Sequence, residues 1–305
     1  MLTRRMFLQV SAASALVTPF TGFAARAQTA PGPLFRFGVV ADPQYAPVPP
    51  RGTRYYANSL WKMTEAIDDF NQQEIEFIVT LGDIIDRHWE SYTHILPLYD
   101  RLDTPNFFIL GNHDYSVAGD YLSSVLRTTG LERAYYDYEG GGHRFIVLDG
   151  NEISTFANAR DSANYAQAEE RLAGLTAAGA PNAQSWNGGI SDAQFAWVEE
   201  VLKKAKEDGE RVIAMGHYPI YPKNEHNLWD DERLVELFTS YDNFAFYMNG
   251  HNHAGNYGVI GNKHFVNFRG MVETATTTAY STIEVYDDRA EIIGKGVQES
   301  RTLVL

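Results

Sequence analysis

Gly111 is followed by Asn112, His113 and Asp114 directly after the apolar run at 107–110. An amide, an imidazole and a carboxylate at the end of a short β-favouring run can bind a cation or move a proton. Four more apolar runs end the same way. Residues 39–41 lead into Asp42 and Gln44, 77–81 into Asp83 and Asp86, 212–215 into His217, and 244–248 into His251 and His253. Folding alone has no need to put unpaired polar groups at five strand ends, because each costs free energy once removed from water. A pair of bound metal ions explains all five together. Two divalent cations about 3.5–4 Å apart neutralise phosphate charge and share a hydroxide placed in line with a leaving group.

The elements that must position these residues alternate between strand and helix. Strands are expected at 35–41, 77–81, 107–110, 211–215 and 244–248. A hairpin is expected at 135–138 and 144–148, with short strands at 264–268, 280–286 and 290–296. Apolar residues at helical spacing predict helices over 53–71 and 231–240, and a helix over 88–102 despite Pro97. Ser191 and Gln194 form a capping-box pattern ahead of a helix over 191–206. In open α/β sheets, sites gather at the carboxyl ends of strands. The stretch 151–186 shows no strand signal and one helix, at 164–177, and is expected to act as a cap or lid beside the site.

Totals narrow the chemistry. The chain has 305 residues, no cysteine and a formal net charge of −14. Metal ligands must then be nitrogen and oxygen donors, and no basic face is available for nucleic acid. The paired Arg4 and Arg5, the apolar run 10–25 and the sequence Ala25-Arg26-Ala27 predict a twin-arginine signal peptide over 1–27. Pro19 and Gly22 break that run, so no stable membrane anchor is expected. Its removal takes three arginines and no acidic residue, moving the charge from −14 to −17. Residues 28–305 are expected to form one exported, periplasmic domain, with the twin-arginine machinery as its transport partner.

The ordered set Asp-x-Gln, Gly-Asp-x-x-Asp, Gly-Asn-His-Asp, Gly-His and Gly-His-x-His resembles the signature of the calcineurin-like metallophosphoesterases, over roughly 35–297. The resemblance implies an α/β fold, a four-layer α/β/β/α sandwich of two mixed sheets. It assigns Asp42, Gln44, Asp83 and His253 to one metal, and Asp83, Asn112, His217 and His251 to the other, with Asp83 bridging. His113 is left to protonate the departing oxygen, held by Asp86 or Asp114. Asp86 stands where purple acid phosphatases have a tyrosine ligand to Fe(III). Most of the superfamily has His at the position of Gln44. The neutral amide oxygen favours Mn²⁺, with Fe and Zn the other candidates.

That Gln points to the manganese-dependent ADP-ribose/CDP-alcohol diphosphatase branch. Arg54-Tyr55-Tyr56, Trp186-Asn187-Gly188-Gly189, 217–222 and 270–274 are similar to the same branch. The resemblance implies cleavage of the diphosphate linkage of ADP-ribose- or CDP-alcohol-like compounds by in-line attack of a metal-bridging hydroxide, so the small-molecule partner is nucleotide-linked. Where that branch has a longer, aromatic-bearing loop after the Gln, this chain has Pro47-Val48-Pro49-Pro50. The alternative is an exported broad-specificity phosphomonoesterase or phosphodiesterase that scavenges phosphate. Arg54 and Arg87 are candidates to steer phosphate or to sit in ion pairs. Tyr218 and Trp186 are candidates to stack on a base or to pack, and His226 to line the substrate mouth. His88, His94, His143 and His264 lie outside the motifs and are read as structural or solvated.

Overall fold

The computed structural model describes residues 32–305; the export segment expected at 1–27 lies outside them. In chain order the elements are β1 (Phe35–Val40), α1 (Ser59–Phe70), β2 (Phe77–Leu81), α2 (Glu90–Tyr99), β3 (Asn106–Ile109), the short α3 (Val125–Thr128), β4 (Tyr136–Gly140) and β5 (His143–Val147). There follow α4 (Ala163–Ala177), α5 (Asp192–Glu207), β6 (Arg211–Met215), α6 (Asp231–Ser240), β7 (Phe244–Asn249), β8 (Asn256–Ile260), β9 (Lys263–Asn267), β10 (Ala279–Val285), β11 (Arg289–Gly296) and β12 (Arg301–Val304).

Strands apolar on both faces must be covered on both faces, and alternation along them shows how. Phe35, Phe37 and Val39 of β1 and Phe77, Val79 and Leu81 of β2 enter a cluster shared with Phe145, Ile213, Met215, Phe246 and Met248 of the second sheet. The intervening Val40 and Ile78 face Met63, Ile67 and Phe70 of α1 and Tyr92 and Ile95 of α2. On the other side Ile146, Val212, Ala214 and Phe244 face Val198 and Leu202 of α5 and Leu234 and Phe238 of α6. The sheets run β12-β11-β10-β1-β2-β3 and β4-β5-β6-β7-β9-β8. Parallel cores (β1, β2, β3 and β5, β6, β7, β9) carry antiparallel strands at their margins. This is the four-layer α/β/β/α sandwich of two mixed sheets that the sequence led us to expect.

Two strands escape the sequence pattern, β8 and β12. Both are edge strands and only partly buried, so neither needs a continuous apolar run. Pro97 stays inside the last turn and a half of α2. The cap of α5 is half of what the sequence suggests. Ser191 Oγ accepts from Gln194 N at 3.0 Å, but the Gln194 side chain turns instead to Asp149 and Glu152. The stretch 151–186 is tied to the body through Ile153, Ala168 and Trp229, and through an Arg171–Asp230 ion pair at 2.6 Å. Among the described residues no helix is long and apolar enough to cross a membrane.

Candidate metal centre

Three of the five strand ends, those after β1, β2 and β7, deliver polar residues through a backbone that few residues adopt. Asp42, Gln44, Asp83 and His251 have φ of 49, 44, 53 and 68°. Left-handed backbone is uncommon outside glycine and persists where its surroundings over-determine it, above all at functional sites. The six non-glycine residues in that region among those described are these four, His88 and Thr274. Glycines do the close work beside them. A Cβ on Gly82 would land on the His217 ring, and one on Gly111 would land on Asp83 Oδ1.

The ends converge on Asp83, which is fully buried. Its Oδ1 accepts from His113 N at 2.8 Å, and its Oδ2 accepts from Gln44 Nε2 at 2.8 Å and lies 3.4 Å from His217 Nε2. Two groups of possible ligand atoms share it: Asp83, His217 and His251, and Asp42, Asp83 and His253. Asn112 joins the first through Oδ1, 3.3 Å from His217 Nε2, and His251 Nδ1 lies 3.1 Å from the same nitrogen. In the second, His253 Nε2 lies 3.5 Å from Asp42 Oδ1.

This donor set fits divalent metal ions. Among the described residues Asp42 and Asp83 have no arginine or lysine partner, and buried unpaired carboxylates are costly. Gln44 lines the cleft with Oε1 buried and unpartnered. Imidazole tautomers are set from outside: His217 Nδ1 donates to Leu81 O at 2.8 Å, His253 Nδ1 lies 2.8 Å from Glu273 Oε1, and His251 Nε2 lies 2.9 Å from Asn187 Oδ1. That leaves Nε2, Nε2 and Nδ1 respectively for a metal, the arrangement common to histidine ligands. In the protein alone, burial lowers the pKa of His217 and of His253, but the Asp83 and Asp42 carboxylates outweigh it and raise both to about 9. Burial raises that of Asp83 and is likewise outweighed, by His217, His113 and His251, so Asp83 stays below the usual carboxylate range.

His113 is partly exposed and lines the same cleft. Its Nδ1 lies 3.0 Å from Asp86 Oδ1 and 3.1 Å from Asp86 O. Burial disfavours its cationic form, but Asp83 and Asp86 raise its pKa above the usual imidazole value. Of the two residues that could hold it, the structure selects Asp86. Asp114 is turned away. Its Oδ1 accepts from Ile84 N at 3.0 Å and Tyr92 OH at 3.2 Å, and its Oδ2 accepts from Gly111 N at 2.9 Å. It ties the loop bearing Asp83 to the loop bearing Asn112 and does not reach His113.

The cleft over the centre is lined by Arg54, Trp186 and His226 besides the ligand candidates. Arg54 lies 3.8 Å from Glu273 Oε1, and Trp186 is 43 % exposed. Tyr218 is corrected: it has no exposed surface and cannot meet substrate. Its ring packs on His217 and His251, and its OH donates to Asn151 Oδ1 at 2.7 Å. Arg87 is paired with Asp86 instead of standing free. His94 and His264 hydrogen-bond Tyr45 and Tyr257, and His143 bonds Gly141 O. The sequence reading missed Glu273 and Asn187 as residues that hold ligands. Both sit in segments it had quoted, yet nothing in their spacing marks that role.

The sequence pattern described as calcineurin-like phosphoesterase matches residues 35–255. The chain is 31 % identical over 313 residues to the manganese-dependent ADP-ribose/CDP-alcohol diphosphatase of Homo sapiens, covering 86 % of this chain and 91 % of that protein. It is 28 % identical over 302 residues to the protein of the same name from Arabidopsis thaliana, covering 88 % and 96 %. Among solved structures, a dimetal phosphatase from Danio rerio superposes with a TM-score of 0.80 at 23 % identity, over 89 % of this chain and 99 % of that one.

Because Asp83 belongs to both ligand groups, Asp83→Asn should lower bound Mn²⁺ from about two equivalents to fewer than one. Equilibrium dialysis of the metal-free chain checks this. Retention of two equivalents would show that Asp83 is not shared.

Proposed function

The chain belongs to the calcineurin-like phosphoesterase family, and on that premise we propose that it hydrolyses the diphosphate linkage of ADP-ribose- or CDP-alcohol-like compounds. It is a metal-dependent hydrolase. The observation that carries the finer reading is Asp83 at the meeting point of two ligand groups, with His113 beside it in an open cleft. The names of the relatives support the substrate class.

Asp42, Gln44, Asp83 and His253 would hold one cation, and Asp83, Asn112, His217 and His251 the other. Bound there, the cations supply positive charge to the phosphoryl oxygens and bring water into the range of a usable nucleophile. The chain's own residues do the rest. Asp86 keeps the His113 proton on Nδ1, so the imidazolium presents Nε2–H to the cleft. As the oxygen of a deprotonated water bonds to one phosphorus and the bridging P–O bond of the diphosphate breaks, that proton passes to the departing phosphate oxygen, and a nucleoside monophosphate separates from a phosphorylated sugar or alcohol. Arg54 offers a guanidinium to the second phosphate, and Trp186 and His226 offer a rim on which base, sugar or alcohol can rest. We also propose export to the periplasm through the twin-arginine route, supported by Arg4, Arg5 and the run after them.

With Mn²⁺, kcat/KM for ADP-ribose or CDP-choline should exceed that for p-nitrophenyl phosphate by about a hundredfold, or ~2.7 kcal/mol of transition-state binding. A preference for the monoester would refute the substrate class and leave the metal chemistry intact. His113→Ala should lower kcat about 10²–10⁴-fold on substrates with poor leaving groups and much less on p-nitrophenyl esters. Equal losses on both would remove the proton-donor role. Lysine at both Arg4 and Arg5 should hold the protein in the cytoplasm on cell fractionation, whereas periplasmic recovery equal to wild type would rule out the twin-arginine route.

A further inference from the structure

Helix α1 carries a lysine with no exposed surface, Lys62. Its Nζ donates to the carbonyl oxygens of Met271, Glu273 and Thr274 at 2.8, 2.6 and 2.9 Å. All three N–H groups of the ammonium thus end on one four-residue turn. No carboxylate among the described residues pairs with it. Desolvation pulls its pKa down to about 8 against the opposing pull of Glu273, so it remains a cation at neutral pH.

The turn that it grips is wired into one half of the metal centre. Met271 N donates to Ala41 O at 2.8 Å, and Val272 N to Asp42 O at 3.0 Å. Gly270 N donates to His253 O at 3.1 Å, and the Glu273 carboxylate takes His253 Nδ1. Thr274, with φ of 68°, is held in the left-handed region. One turn of helix before Lys62, Ser59 Oγ donates to Pro43 O, the carbonyl between Asp42 and Gln44. Helix α1 therefore reaches both loops behind the Asp42, Gln44, Asp83 and His253 pocket, and none of these four bonds is made to the His217 or His251 loop.

We propose that Lys62 is a positioning residue for this one metal pocket: its ammonium fixes the 271–274 turn, and the turn fixes the Glu273 carboxylate that orients His253. The inference rests on the reading of these residues as metal ligands. Residue type follows from geometry. Three convergent carbonyls suit the three donors of a tetrahedral ammonium on a flexible stem, whereas a planar guanidinium fork does not match them. Without the cation the Met271 carbonyl is buried and unpaired and the part-buried Glu273 and Thr274 carbonyls lose their partner, so the turn is free to find others. Glu273 then loses its fixed place beside His253, and outer partners of ligand imidazoles affect metal affinity strongly.

The test is titration calorimetry of Mn²⁺ into the metal-free full chain, comparing wild type, Lys62→Met and His253→Ala. Wild type should show two binding events, and the one lost in His253→Ala identifies the pocket. Lys62→Met should weaken that event about 10–100-fold and leave the other unchanged. Equal weakening of both events, or of neither, overturns the proposal, because a merely structural lysine lowers unfolding stability without changing the ratio of the two constants. If Lys62→Met is not folded by near-ultraviolet circular dichroism, Lys62→Gln, which keeps two N–H donors, is judged by the same outcomes. Failure of the wild type to bind two ions would instead refute the metal reading itself.

Discussion

A carboxylate with no exposed surface and, among the described residues, no arginine or lysine paired with it sets the terms for this molecule. Burying Asp83 in an apolar interior is unfavourable by several kcal/mol unless charge and hydrogen bonds compensate. The chain compensates with His113 N and Gln44 Nε2 on its two oxygens and with the His217 ring close by. Those partners come from three different strand ends. The position of one side chain therefore fixes the relative placement of the loops after β1, β2, β3 and β6. The left-handed backbone at Asp42, Gln44 and Asp83 is the local cost of that convergence. It also explains why glycines stand next to the ligands, where a side chain would occupy the space of the imidazole or carboxylate.

Around this point the supports divide by side. The imidazoles of His217 and His251 lean on Tyr218, itself anchored by Asn151, and His251 is met by Asn187. Asp42 and His253 are backed by Glu273 and by the turn it stands on. Asp114 stitches the two loops of the first sheet together and leaves His113 to Asp86. Residues of similar chemistry thus take different work according to what faces them. Asp83, Asp86 and Asp114 are all buried acids within about thirty residues of one another, yet one faces two ligand groups, one faces an imidazole, and one faces main-chain amides.

Much of this was legible in the sequence because a strand end is a local event. A run of apolar residues, a glycine and a polar residue lie within about ten positions, and five such events in order identified both the fold and the ligand candidates. The supports were not legible, because they act across the fold. Glu273 meets His253 from 20 residues away, Asn187 meets His251 from 64, and Lys62 meets Met271 from 209. No periodicity marks these pairs. Tyr218 was left open between stacking and packing for a related reason. An aromatic next to a ligand histidine can face either substrate or core, and only packing decides. The edge strands β8 and β12 were missed because partial burial removes the pattern on which sequence reading depends.

The centre spans a gap between the two sheets. Asp42, Asp83 and Asn112 leave β1, β2 and β3 of one sheet, while His217, His251 and His253 leave β6 and β7 of the other. Each ligand group draws residues from both sheets, so the spacing within each is set by whatever holds the sheets apart. That is the shared core, in which Phe37 stacks on Phe77 with ring centroids 5.1 Å apart, and Phe77 meets Phe145 of the opposite sheet edge-on, also at 5.1 Å. Interiors packed at this density transmit strain instead of absorbing it. The placement of the candidate ligand atoms is consequently a property of the aromatic layer between the sheets as much as of the ligand residues themselves. Asp83, which stands in both ligand groups and touches partners from both sheets, would register any shift between the sheets.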